Sequence, residues 1–213
     1  MSLYIYLCVL FIVFTITLIN WRSLIKSDLQ PLFWLMISTF LVECVGAFYI
    51  LIYNRSHPWI YKIYVVIEYS LICLYFLRIL RAVNITKAIK LTLIAPPVYI
   101  FLLIAFPENF GYLNKYKFLL IAFLIVIWSV FYFRNLLDTS LELNLKKDPH
   151  FYINTGFLLF FGGSFFLMGL IFYIQERDMA LAKSLYSINH VLNIFYYSLL
   201  AYGFICHSKS MKS

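Results

Sequence analysis

The sequence predicts an all-α membrane protein of seven transmembrane helices, and three observations carry that prediction. Apolar stretches recur seven times along the 213-residue chain, each close to the roughly 20 residues that cross a hydrocarbon layer about 30 Å thick. None alternates polar with apolar positions, and only a helix that satisfies its own backbone amides can then cross lipid. Hydrophobic residues make up 64% of the chain and charged residues 12%, against about 25% charged in soluble domains. A water-soluble bundle of this length could not hide so much apolar surface.

The first span runs from Leu3 to Ile19. No basic region precedes it and it ends in Asn20-Trp21-Arg22, so it reads as a membrane helix and not a cleaved signal peptide. The second (Leu32–Tyr53), third (Trp59–Leu80) and sixth (Phe151–Ile174) each open just behind a proline: Pro31, Pro58 and Pro149. Proline suits a first helical turn, where its missing N–H would be unpaired anyway. Asp148 is placed to cap the sixth span. The fourth, Ile89–Phe106, carries Pro96-Pro97 midway, which removes two donors and makes a kink or break that could serve as a hinge. The fifth, Tyr116–Leu136, continues into an amphipathic stretch with Leu137, Leu141 and Leu145 on one face and Asp138, Glu142 and Lys146 on the other. That face suits the headgroup layer or a docking partner. The seventh covers Ser184–Ile205. The longest gap, Asn135 to His150, is too short for a soluble module, so one transmembrane domain is expected.

The net charge of +8 follows topology and does not call for nucleic acid. With the N-terminus outside, the inner segments hold Arg22, Lys26, Arg78, Arg81, Lys87, Lys90, Arg134, Lys146, Lys147, Lys209 and Lys212. The outer loops hold only Arg55, Lys62, Lys115, Lys117, Arg177 and Lys183. Lysine and arginine resist translocation, so the richer side is cytoplasmic and the C-terminus lies inside. Trp21, Trp34, Trp59 and many of the 18 tyrosines fall near span ends, as an interfacial aromatic belt requires.

Ionisable groups in lipid cost several kcal/mol unless paired, neutralised or hydrated. Glu43, Glu68 and His190 are the three deep ones. At about 1.5 Å per residue they lie roughly 15, 13 and 9 Å below the outer ends of their spans. Asn189 and Asn193 flank His190, Ser164 of span six is at similar depth, and Tyr64 is four residues from Glu68, where its phenol can donate. Glu43, Glu68, His190, Asn193, Ser164 and Tyr64 are therefore the candidate ligand- or ion-binding residues of one buried polar pocket. The competing reading is a set of interhelical hydrogen bonds that glue the bundle. Gly156, Gly162, Gly163 and Gly169 on span six suit close helix approach. Cys8, Cys44, Cys73 and Cys206 all lie in spans without CxxC spacing and read as small apolar fillers.

Enzyme signatures are mostly missing. Only His190 is deep, with His57, His150 and His207 at span ends or in loops, so a metal-dependent intramembrane hydrolase is the least favoured reading and no metal or cofactor is expected. There is no Walker loop, Gly-rich phosphate cradle or HExxH motif.

Pro31-Leu-Phe-Trp and Pro149-His-Phe-Tyr open spans two and six, and Tyr69-Ser-Leu-Ile-Cys-Leu-Tyr-Phe echoes Tyr197-Ser-Leu-Leu-Ala-Tyr-Gly-Phe. Spans one and five both end in an arginine. These pairs suggest a parallel three-plus-one-plus-three repeat with span four as linker, an arrangement known in transporters. Asp148-Pro-His-Phe-Tyr-Ile-Asn-Thr-Gly-Phe-Leu-Leu-Phe-Phe-Gly-Gly, the pair Glu43/Glu68 and His190-Val-Leu-Asn-Ile-Phe resemble a set of uncharacterised bacterial seven-helix membrane proteins. Similar helical modules precede some sensor histidine kinases. The resemblance implies a multi-pass protein of the bacterial inner membrane. Since the chain ends at Ser213, signalling output would come from a separate cytoplasmic or membrane partner, and the protein could associate with copies of itself. The expected functions are a receptor-like module for a small or lipidic ligand, or a proton- or cation-coupled transporter or channel using Glu43 and Glu68.

Overall fold

The computed structural model describes residues 2–53, 58–80, 85–94, 98, 113–139, 145–175 and 177–211. Among them the regular structure is entirely helical: α1 (Ser2–Ile19), α2 (Trp21–Ile25), α3 (Gln30–Tyr53), α4 (Pro58–Ile79), α5 (85–94), α6 (Leu113–Thr139), a short 3-10 turn at Leu145–Lys147, α7 (Pro149–Ile174) and α8 (Met179–Ser210). Four stretches are long and apolar enough to cross a membrane: Gln30–Tyr49, Phe118–Asp138, Pro149–Ile174 and Met179–Ser210. Ile5–Ile19 is a shorter apolar helix. Such a set of helices fits a multi-pass membrane protein. Bulky apolar side chains point outward, Phe11 at 59% exposure and Phe166 at 76%, as lipid-facing positions do.

Helix starts follow the local chemistry. Pro31, Pro58 and Pro149 all fall in the first two positions of their helices. Asp148 caps α7, its Oδ1 accepting from the amide of His150 at 2.9 Å. Asp178 caps α8 by accepting from the amide of Leu181 at 3.0 Å. That cap starts α8 five residues before the expected Ser184, and the helix runs on to Ser210. At 32 residues and about 1.5 Å per residue, α8 is longer than a bilayer core needs. Of expected span four, Ile89–Phe106, only 89–94 and residue 98 are described, as helical; Pro96 and Pro97 lie outside the described residues.

The chain divides into two compact units, Met1–Ser23 with Lys115–Ser213, and Leu24–Asn114. This is not the division the repeat suggests, since α1 joins α6, α7 and α8. Tyr6, Leu10, Val13 and Thr17 are its buried face, at the i, i+4, i+7, i+11 spacing of one helix side. α1 runs parallel to α8: Tyr6 meets His190 and Tyr197 near one end, and Ser23 Oγ meets Met211 Sδ near the other.

α7 and α8 form an antiparallel hairpin. Near its turn Leu167, Ile171 and Ala182 are buried together with Met168, Ile174, Leu185 and Leu192 against them. Gly203 allows the tightest approach, for a Cβ there would lie 2.7 Å from Ile153 Cγ1 and 3.1 Å from the Pro149 carbonyl. Gly163 and Gly156 likewise face α8, at Leu192 and at Leu199 with Tyr196, whereas Gly162 faces Val126 of α6 and Gly169 has nothing within 4 Å. Close packing therefore explains two of the four span-six glycines, Gly156 and Gly163, since the Val126 contact of Gly162 at 3.8 Å is an ordinary one. In the other unit α3 and α4 are antiparallel, with Arg78 donating to the Ser27 carbonyl at 3.1 Å and to Gln30 Oε1 at 2.6 Å.

Candidate functional site

The six candidate residues fall into two groups, one in each unit. Thr39 and Glu43 are one turn apart on α3, and Tyr64 and Glu68 one turn apart on α4. Thr39 Oγ1 donates to the Leu35 carbonyl at 2.7 Å and lies 2.7 Å from the Tyr64 hydroxyl. Tyr64 also reaches the Glu68 carboxyl, and Glu43 is near enough for the two carboxyls to interact. Glu68 is buried at 9% exposure and Thr39 at 2%, while Glu43 and Tyr64 are half-buried. The Tyr64–Glu68 pairing is the one the four-residue spacing indicates. Thr39 is the member sequence reasoning missed, although its i, i+4 relation to Glu43 was the available signal. Gly46 leaves the room that the Tyr61 hydroxyl occupies.

The second group belongs to α1, α7 and α8. Ser164 Oγ, fully buried, donates to Asn189 Oδ1 at 3.2 Å. Asn193 Nδ2 donates to the Asn189 carbonyl at 2.9 Å. His190 is half-buried, with its ring 5.8 Å from Tyr6 of α1 and 5.8 Å from Tyr186 one turn earlier on α8. Below it Tyr196 stacks on Phe160 at 4.9 Å and packs against Phe157, Phe161 and Tyr197. All five rings are buried in the core, so they set a floor under the polar group.

Both hairpins place their polar pair at the same distance from the turn. Glu43 is ten residues before Tyr53 and Glu68 ten after Pro58; Ser164 is ten before Ile174 and Asn189 ten after Met179. At about 1.5 Å per residue that is roughly 15 Å, half a bilayer core. The two pairs differ in chemistry, acidic in α3–α4 and neutral in α7–α8.

Among the described residues no group of three or more His, Cys, Asp or Glu side chains is placed to hold a metal ion, and the four cysteines are free thiols. Of the docking candidates, Leu137 is 80% and Leu145 40% exposed, and Leu141 lies outside the described residues. Two buried donors on α6, Trp128 Nε1 and Ser129 Oγ, have no hydrogen-bond partner among the described residues; the sequence carried no sign of them. Comparison of the chain with protein-family models, with curated proteins and with solved structures finds no match.

Proposed function

We propose that this chain is a seven-helix protein of the bacterial inner membrane, N-terminus outside and C-terminus cytoplasmic, that works as a receptor. It binds a small or lipidic ligand at a buried polar site and signals through a partner that meets the exposed Leu137 and Leu145 side chains. The observation that carries this reading is the hydrogen-bonded pair Ser164–Asn189 beside His190, deep in the α7–α8 hairpin. Polar groups at such depth are costly and tend to mark function. A helix shift at α8 is the natural output, because α8 carries the site and runs on past it to Ser210.

A second reading has its own support in the buried Glu68 with Tyr64 and Thr39, which suits a proton- or cation-coupled transporter or channel. Ion flux through the purified protein in liposomes separates the two. Flux abolished by Glu43→Gln and by Glu68→Gln would replace the receptor reading with the transporter. A folded, inserted protein that carries no flux, yet captures a partner lost on Leu137→Asp, supports the receptor.

A further inference from the structure

The polar group of α1, α7 and α8 holds hydrogen-bond donors that no described residue uses. Ser164 donates to Asn189 Oδ1, which orients the Asn189 amide so that its Nδ2 hydrogens point away from the serine. Among the described residues His190 makes ring contacts with Tyr6 and Tyr186, and an imidazole always keeps at least one N–H. Hairpin packing does not dictate a neutral pair here, because the corresponding positions of α3–α4 are Glu43 and Glu68.

Charge is sparse along the helices that form this group. α1 and α7 contain no Asp, Glu, Lys or Arg, and α8 carries only Lys183 and Lys209, towards its two ends. A charged ligand would be stripped of water at this depth without a counter-ion, which is expensive. An uncharged oxygen acceptor would instead satisfy the waiting donors. Access from lipid is open on the α8 surface, where Ile188 is 47% and Val191 49% exposed.

Resting on the ligand-binding reading above, we propose that Asn189 and His190 bind the uncharged carbonyl end of a bilayer-dissolved molecule, an ester or ketone on a long apolar tail. Tyr6 and Tyr186 flank the bound group, and Ser164 holds the Asn189 amide in its donating orientation.

Three photoreactive probes sharing one diazirine-bearing hexadecyl-type tail test this: a methyl ester, the free carboxylate and the alkylammonium. Each is incubated with the full-length protein in phosphatidylcholine nanodiscs, illuminated, and the labelled peptides mapped by mass spectrometry. The methyl ester should label α8 around Tyr186–Asn193 and nearby α1 more than the other two. Asn189→Leu and His190→Phe should each lower that labelling about fivefold, as loss of one hydrogen bond does. Excess unlabelled methyl palmitate should suppress it on the wild type, which reads the site even if a variant fails to fold. Strongest labelling there by the carboxylate or ammonium probe would overturn the ligand class while leaving a ligand site. Labelling that is unspecific along the chain, or unmoved by competitor, would overturn the site. Failure of all three probes together with carboxylate-dependent ion flux would overturn the receptor reading as well.

Discussion

The Tyr132 hydroxyl donates to Asp148 Oδ2 at 2.8 Å while Oδ1 of the same carboxyl caps α7. One side chain thus closes the first turn of α7 and holds the last turns of α6, sixteen residues earlier in sequence. Removing it does two kinds of damage: the cap is lost, and the buried Tyr132 hydroxyl is left without its acceptor. Caps contribute about 0.5–2 kcal/mol, and an unsatisfied buried donor costs about 1–3 kcal/mol. Asp148→Ala should therefore lower the melting temperature in detergent by several degrees, at about 2–4 °C per kcal/mol for a chain of this size. Asp148→Asn keeps one oxygen for the cap but turns the other into an NH2 that cannot accept from Tyr132, so it should lose less than Asp148→Ala and more than nothing. Equal losses in the two variants would show that the side-chain oxygens are not what matters.

Thr39 and Tyr64 supply a second expectation, in the other unit. Their oxygens are 2.7 Å apart, and Tyr64 bridges from α3 to Glu68 on its own helix. Thr39→Val keeps the shape but deletes the hydroxyl, so the Tyr64–Glu68 pair loses its tie to α3. A loss of about 1–2 kcal/mol is expected, the scale of one buried hydrogen bond with a neighbour left short. Tyr64→Phe should cost a similar amount, and the double variant less than the sum because both remove the same bond. Thermal unfolding of the four proteins gives the cycle directly; strict additivity would mean that the bond does not couple α3 to α4.

Helix class and several helix starts were legible because they depend on local chemistry. Pro31, Pro58, Pro149 and Asp148 act through backbone groups within a few residues of themselves, and each does so where the sequence indicates. The Tyr64–Glu68 pairing was legible for the same reason, since four residues is one turn. Long-range choices were not. Nothing in Ser2–Ile19 says that its buried face meets α8, because Tyr6, Leu10 and Val13 would suit any apolar neighbour. The grouping of α1 with α6–α8 therefore departs from the division that the echoes of Pro31 with Pro149 and of Tyr69 with Tyr197 suggest. The start of span seven lies at Met179 and not at the expected Ser184 because Asp178 caps it, and an aspartate just before an apolar run is a usual start signal. Thr39 was passed over since a hydroxyl in a helix can always satisfy itself on the preceding turn, as it also does here with Leu35.

Gly203 and Gly169 give the sharpest contrast, because the same substitution should act in opposite directions. In an exposed helix interior, Gly→Ala gains up to about 1 kcal/mol of helix propensity. At Gly169 the new methyl meets nothing within 4 Å, so Gly169→Ala should be neutral or stabilising by that amount. At Gly203 the methyl would sit 2.7 Å from Ile153 Cγ1 and 3.1 Å from the Pro149 carbonyl. The isoleucine branch is stiff and the carbonyl belongs to the first turn of α7, so neither yields without moving the helices apart. Overpacking of this kind costs about 1–3 kcal/mol, enough to outweigh the propensity gain. Gly203→Ala should thus melt below the wild type and Gly169→Ala at or above it, under one detergent and one protein concentration. Ile153→Val in the Gly203→Ala background removes Cδ1, 3.1 Å from the new methyl, and keeps Cγ1, so it should recover at most a small part of the loss; no recovery would place the strain on Cγ1 and the Pro149 carbonyl.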